Sequence, residues 1–174
     1  APTPTGMAGA AFDQMFIDMM VPHHQSAIAM AVIAQDRGEH TEITDMADQI
    51  IADQQAEVEQ LTAWRQEWYG DRQTPPMSQM PMLPDMMNMS NGQMTMDMTP
   101  MVESLRDAPE PFDQAFIDSM IGHHQMAVMA AQIARQQAEH PELQDLAEQI
   151  IEKQLAEIDE LRQWRLAWYG SAEP

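Results

Sequence analysis

The residues with the clearest capacity for chemistry are two pairs of adjacent histidines, each of which follows a methionine by about one helical turn. His23 and His24 follow Met20, and at about 100° per residue the methionine lies angularly between the two histidines on a helix. One thioether and two imidazoles therefore share a helix face. This combination of donors suits copper best by ligand softness. The same arrangement recurs at Met120, His123 and His124.

Further sulfur donors extend the face that carries the first histidine pair. Met19 lies one turn before His23, and Met30 lies two turns after it, near the same direction around the helix. The structural alternative is that one histidine of each pair is hydrogen-bonded in the core while the other faces solvent. Because the pair is duplicated together with its methionine, we favour a metal site.

Polar residues interrupt the apolar stripe of the helix that follows each histidine pair. They are candidates for orienting an imidazole N–H so that the other ring nitrogen binds metal, or they mark a partly exposed edge of the stripe. These residues are Gln54, Glu57, Gln154 and Glu157. His40 and His140 lie in the turns between helices, and we interpret them as helix-boundary residues, with a peripheral copper site as the alternative.

A methionine-rich stretch separates the two histidine pairs. Its methionines are mostly spaced MxM or MxxM among helix-breaking and polar residues, where an ordinary core would not place them. Because a thioether binds Cu(I) without losing a proton and forms no disulfide, we predict a flexible, thioether-only arm that captures Cu(I). Packing is the alternative role, since methionine is an adaptable filler. The candidate ligands are Met77, Met80, Met82, Met86, Met87, Met89, Met94, Met96 and Met98.

The composition narrows the classes of partner. The 174 residues include 28 acidic and 8 basic side chains, for a formal net charge of −20. Such a charge repels phosphate backbones and anionic membranes, so nucleic acid is an unsuitable partner and cations are favoured. Cysteine is absent and methionine numbers 19, which excludes thiolate, disulfide and zinc-finger chemistry. No apolar run approaches the roughly 20 residues that cross a bilayer, so no transmembrane segment is predicted.

The histidine pairs lie in two copies of one unit. Residues 12–70 and 112–170 match without a gap at about half of their positions. Each copy contains two stretches of apolar residues at helical spacing. Gly38 is placed to end the first helix of one copy, and Pro141 suits the opening turn of the second helix in the other. Each copy closes on a glycine that accepts the left-handed conformation beyond a helix end, Gly70 or Gly170.

These helices predict an all-α fold. A single amphipathic hairpin leaves its apolar stripe half exposed, so two hairpins packed face to face are the economical solution. We therefore expect a four-helix bundle built from two duplicated hairpins, formed within one chain or between chains.

The expected organisation has five parts. Seven prolines between residues 75 and 111 exclude a long regular helix there, and a long loop of this kind is functional or disordered. The first six residues are small and rich in proline and threonine, which resembles the mature end left after an export signal and predicts a periplasmic or secreted protein. The parts are a flexible start (1–11), hairpin one (12–70), a methionine- and proline-rich linker (71–111), hairpin two (112–170) and a tail (171–174).

Several motifs recur in order in both copies: a Phe-Asp start, a Met-x-x-His-His-Gln core followed by alanine, a later Gln-x-x-Glu and closing tryptophans. Together they resemble the bacterial family called domain of unknown function 305, a ferritin-like helical family that includes secreted copper-binding proteins. The resemblance covers both hairpins but not the linker. It implies a ferritin-like four-helix bundle, export and a role in copper tolerance. The positions that it carries over are Met20, His23, His24, Met30, Met120, His123 and His124.

The second copy departs from the family pattern at one position. Ala130 stands where the family has the later methionine that is Met30 in the first copy, although Met126 and Met129 are near. Met129 faces elsewhere on an ideal helix. We therefore expect the two copies to differ in affinity or geometry.

The functional expectation is a non-enzymatic copper-binding protein. It would bind Cu(I), with Cu(II) and Ag(I) as further ions, and would sequester copper or hand it on, with another envelope copper-handling protein as a candidate partner. Ferritin-like oxidases use Glu-x-x-His carboxylate sites, and neither hairpin has that motif. Cuprous oxidase activity of the linker methionines, or a structural helical module with no metal role, are the alternatives.

Overall fold

Helices form most of the protein. The computed structural model describes residues 5–90 and 92–174, with side chains described for residues 11–87 and 92–174. The helices are α1 (Thr5–Arg37), α2 (Thr41–Tyr69), α3 (Thr99–Arg106), α4 (Phe112–Gln137) and α5 (Pro141–Tyr169). Between α2 and α3 lie two 3-10 turns, Met77–Gln79 and Pro84–Ser90, and two short antiparallel strands, β1 (Met80–Pro81) and β2 (Thr95–Met96).

The helices end where the residue types require. Gly38 follows α1, and a Cβ atom there would come within 2.7 Å of the Ala34 carbonyl oxygen. Gly70 and Gly170 follow α2 and α5 with φ of 80° and 81°, the left-handed region that glycine adopts without strain. Pro141 opens α5, where its missing N–H has no helical partner to lose. The predicted helix ends are confirmed at these positions.

The two hairpins pack against each other within one chain. α1 runs along α2, α4 runs along α5, and α1 meets α4 between the hairpins. Fully buried apolar side chains such as Phe16, Ile50, Phe116 and Ile150 fill the interior. The all-α fold and the four-helix bundle are confirmed. Within the described part of the chain, no helix is both long and apolar enough to cross a membrane.

Helix α1 begins earlier than the sequence indicated. The hairpin was expected to start at Phe12, after a flexible segment, but the helix starts at Thr5. Small residues between Thr5 and Phe12 include several alanines, the best helix formers, which explains how the helix continues toward the N-terminus.

The linker is folded over the bundle, which corrects the prediction of a flexible arm for its described residues. Val102 and Leu105 of α3 are buried, and Met80 and Met98 are at most 1% exposed. The guanidinium group of Arg37 donates to the carbonyl oxygens of Arg106 (2.7 Å) and Ala108 (2.8 Å), so it binds the end of α3. Prolines prevent one long helix but allow short turns and strands, whose apolar side chains then reach the bundle.

Candidate metal centre

Four histidines of α1 and α4 lie together in the interior, where the two hairpins meet. Each is at most 1% exposed. The rings of His23 and His123 stack across the contact, with centroids 3.7 Å apart and planes inclined by 28°. Within each hairpin the centroids of the two adjacent histidine rings are 6.2 Å apart. The two predicted pairs, His23 with His24 and His123 with His124, therefore form one buried histidine cluster.

Glutamates from the second helix of each hairpin orient the outer histidines. Nε2 of His24 lies 2.6 Å from a carboxyl oxygen of Glu57, and Nε2 of His124 lies 2.5 Å from one of Glu157. When Nε2 carries the proton and donates it to the carboxylate, Nδ1 is left with a lone pair. Nδ1 of both rings is buried and has no hydrogen-bond partner among the described residues. The predicted contact between these glutamates and the histidines is present.

Ser26 makes the inner histidines unequal. Its hydroxyl donates to the carbonyl oxygen of His23 at 2.6 Å, so the hydroxyl oxygen must accept from Nε2–H of His123, 2.7 Å away. Nδ1 of His123 then carries a lone pair without a partner, and both ring nitrogens of His23 are without a partner among the described residues. Ser26 was missed by the sequence analysis because it is not repeated: its counterpart in the second hairpin is Met126.

The interior keeps the inner histidines neutral. Burial is the main cause that lowers the pKa of His23 well below 6.5, and the neighbouring imidazoles of His24 and His124 lower it further. Burial also comes first in lowering the pKa of His123, again helped by the other three rings. Both rings are therefore neutral at pH 7, and the neutral imidazole is the form that binds metal.

Histidines and carboxylates do not complete a metal site alone. Among the described side chains, no group of three or more His, Asp or Glu residues is arranged to hold an ion. Thioethers are the additional donors in the same core, where Met19, Met20, Met30 and Met120 are each at most 1% exposed. Ser119 and Ala130 stand where the first hairpin has Met19 and Met30, so the second hairpin offers two of these thioethers fewer.

The two glutamines predicted to support the histidines are buried but make no such contact in the described structure. Gln54 is 3% exposed and Gln154 is 2% exposed. The side-chain oxygen of each has no hydrogen-bond partner among the described residues. Neither glutamine therefore orients a histidine among the described residues, and each keeps an amide oxygen that is costly to bury without a partner.

His40 and His140 lie at opposite ends of the bundle, and each bridges the two hairpins. Nδ1 of His40 lies 2.7 Å from a carboxyl oxygen of Asp113, and its ring stacks on Trp168 at 3.7 Å. The reciprocal contacts join His140 to Asp13 at 2.6 Å and to Trp68 at 3.6 Å. Both histidines were predicted to be boundary residues. Their carboxylate partners were missed, although a Phe-Asp pair at the same offset in both copies was a visible signal.

The predicted linker ligands differ in exposure. Met80, Met82, Met86 and Met98 are buried, Met77, Met87 and Met96 are partly buried, and Met94 is 72% exposed. The side chain of Met89 lies outside the described residues. Met126 and Met129 of α4 are partly buried beneath the linker rather than in the histidine cluster, and they line a cavity with Met82, Met86 and Met96.

Comparisons with known proteins identify one family and several similar structures. The model of the family DUF305, described as a domain of unknown function, matches residues 13–165. Among curated proteins, none matches the sequence. CopM in its Cu(I)-, Cu(II)- and silver-bound forms is similar in structure, with 39%, 41% and 39% identity and TM-scores of 0.71, 0.74 and 0.72. Each match covers 90 or 91% of this chain and 97 or 98% of CopM.

A DUF305 protein of Streptomyces coelicolor has the same fold. Its TM-score is 0.76 at 24% identity, over 96% of this chain and 99% of that one. At this identity the likeness concerns the fold alone.

Proposed function

This chain belongs to the DUF305 family, and from that membership and the buried histidine cluster we propose that it binds copper in the interior of the bundle. The observation that carries the proposal is the set of ring nitrogens in the cluster that are buried without a hydrogen-bond partner among the described residues. A buried polar atom without a partner is costly, and a metal ion would satisfy several of these atoms at once.

The donor types favour a soft ion. Imidazole with thioether suits Cu(I), and Cu(II) and Ag(I) are further candidates because CopM has been solved with each of these metals. Absence of cysteine leaves thioether as the only soft sulfur donor. Such a site takes up copper without releasing a thiol proton and without disulfide side reactions.

We assign one ion to each histidine pair. The 6.2 Å between ring centroids of His23 and His24 is close to the roughly 6 Å expected when two imidazoles hold one ion from opposite sides with bonds of about 2 Å. Lone pairs lie in the ring plane, so the stacked rings of His23 and His123 do not both point at an ion between them. The thioethers assigned to these sites are Met19, Met20 and Met30 in one hairpin and Met120 in the other.

The role that follows is to sequester copper or hand it on, with copper as cargo, and not to catalyse a reaction. Thioether and imidazole sites suit an extracytoplasmic compartment, where oxidation would convert cysteine ligands to disulfides. A second envelope protein that receives or delivers copper is the partner that such a carrier requires. His40 and His140 act in this proposal as links between the hairpins, because each is already bound to a buried aspartate.

The test is copper analysis of the whole chain after anaerobic loading with Cu(I). A variant with His23, His24, His123 and His124 changed to alanine is expected to lose the two copper ions assigned to the histidine pairs. A His40→Gln/His140→Gln variant is the matched control and is expected to retain them. X-ray absorption should show nitrogen and sulfur ligands in the parent. If the quadruple variant binds as much copper as the parent, the assignment is wrong.

A further inference from the structure

We propose that a further site for a soft monovalent ion, Cu(I) or Ag(I), lies between the linker and α4, apart from the two histidine sites, and is built from thioethers alone. It goes beyond the histidine sites because it uses other residues and another donor set. The site is a cavity of about 290 Å³. Its methionines are Met82, Met86 and Met96 of the linker and Met126 and Met129 of α4.

The lining is rich in sulfur and poor in competing donors. Besides the five methionines, the cavity is lined by Gln125 and by Gly122, which has no side chain. A Cβ atom added at Gly122 would meet no other atom within 4 Å, so this part of α4 leaves the space open. A neutral wall with several thioethers offers nothing to a hard cation such as Mg²⁺ or Ca²⁺, which need oxygen ligands, but suits Cu(I).

The linker holds its thioethers in place over α4. Strands β1 and β2 pair Met80 with Met96, and the backbone N–H of Met82 donates to the Met94 carbonyl oxygen at 3.0 Å. The side-chain amide of Gln137 on α4 donates to Asp85 of the linker at 2.7 Å. Met82 and Met86 are therefore buried at 5% and 2% exposure on a folded segment, not on a free arm.

The two hairpins differ where the linker covers α4. Met126, Met129 and Gly122 of α4 correspond to Ser26, Ala29 and Pro22 of α1. Met126 and Met129 therefore have no sulfur counterparts in the first hairpin. A methionine at these positions that only completed the duplicated core would be expected in both copies.

The cavity has room for an ion and for movement of the side chains around it. Its volume of 290 Å³ is about ten times the roughly 30 Å³ of a water molecule. Methionine has three rotatable bonds, so its sulfur can turn into such a space and close around an ion. Met96, Met126 and Met129 are only partly buried, which gives an ion a way in from solvent.

The experiment titrates the metal-free chain with Ag(I) and counts bound ions by native mass spectrometry at pH 7 and pH 5. The cavity variant is Met82→Leu/Met86→Leu/Met96→Leu, which removes sulfur and nearly conserves volume. The matched control is Met15→Leu/Met46→Leu/Met101→Leu, which changes three methionines outside the cavity and outside the histidine sites. We expect the cavity variant to bind one Ag(I) fewer than the parent and the control to bind as many as the parent. The ion that is lost should be one that the parent retains at pH 5, because thioethers do not take up protons.

A second measurement keeps the proposal testable if the cavity variant fails to fold. In the parent labelled at the methionine methyl carbons, the resonances of the five lining methionines should shift together in one step of the Ag(I) titration. Methyl groups that stay unmoved, a cavity variant with the parent's ion count at both pH values, or an equal loss in the control would each overturn the proposal. The histidine-to-alanine variant should still bind this ion, so failure here is separable from failure of the copper sites in the core.

Discussion

At the scale of single residues, the histidine cluster is held by hydrogen bonds that leave its metal-binding atoms free. Glu57 engages one nitrogen of His24 and leaves the other without a partner. Such a carboxylate fixes both the tautomer and the ring orientation. The helical spacing of Glu57 predicted its place on the inner stripe of α2. Ser26 was not predictable, because its role depends on a contact with His123 in the other hairpin.

Removing the charge of the orienting carboxylate should weaken copper binding. In Glu57→Gln the amide oxygen can still accept from His24, but the ring loses the negative partner that raises its basicity. We expect Cu(I) affinity to fall by about 10- to 100-fold, as measured by competition with a chromogenic Cu(I) chelator. Glu59→Gln, on an exposed position of the same helix, is the control and should change nothing. Equal affinities in the two variants would show that Glu57 does not orient a ligand.

The lowered pKa of the inner histidines predicts that the metal-free protein loses stability in acid. In the unfolded chain these imidazoles take up protons near pH 6.5, whereas in the fold His23 and His123 resist protonation until the pH is much lower. Their contribution to the free energy of unfolding is complete above pH 6.5 and falls below it, by about 1.4 kcal/mol per pH unit for each histidine. Urea unfolding between pH 8 and pH 5 measures this slope. A His23→Leu/His123→Leu variant should show a shallower slope, and an unchanged slope would contradict the assignment.

At the scale of elements, local signals predicted the hairpins well and the linker poorly. Apolar periodicity and the glycines that end α2 and α5 depend on neighbouring residues in sequence, so they were visible without a structure. The linker conformation depends on distant contacts, such as those of Arg37 with the end of α3 and of Gln137 with Asp85. The MxM spacing shows that methionines are clustered in the linker, but not which of their side chains face the bundle.

Two glycines in the second hairpin should respond to alanine with opposite signs. Gly170 has φ of 81°, so Gly170→Ala should lower the free energy of unfolding by about 1 kcal/mol. Gly122 lies inside α4 with open space at its Cβ position, so Gly122→Ala should raise it by about 0.5–1 kcal/mol through helix propensity. Urea unfolding of both variants measures the difference. If Gly122→Ala instead lowers the free energy of unfolding, the packing around α4 does not tolerate a Cβ atom at Gly122.

At the scale of the whole molecule, the hairpins are joined by two reciprocal sets of contacts, one at each end of the bundle. Asp113 is fully buried and accepts from the backbone N–H groups of Glu39 and His40, as well as facing the His40 ring. Asp13 does the same for Glu139 and His140. Each aspartate begins one hairpin and binds the turn of the other, so both hairpins must be in place for either carboxylate to be satisfied.

This cross-linking predicts that loss of one aspartate weakens the cooperation between the hairpins. In Asp113→Asn only one side-chain oxygen remains to accept, and the new amide N–H groups face the backbone donors of Glu39 and His40. We expect the free energy of unfolding to fall by about 1–3 kcal/mol, because buried donors lose their partner. The denaturant dependence of the free energy of unfolding should also become less steep if one hairpin begins to unfold before the other.

Asp107→Asn, at an exposed position, is the control for Asp113→Asn. Asp13→Asn should reproduce the effect, since the two links are equivalent. If either variant instead unfolds at the parent's midpoint and with the parent's steepness, the hairpins are held together by the α1–α4 contact alone.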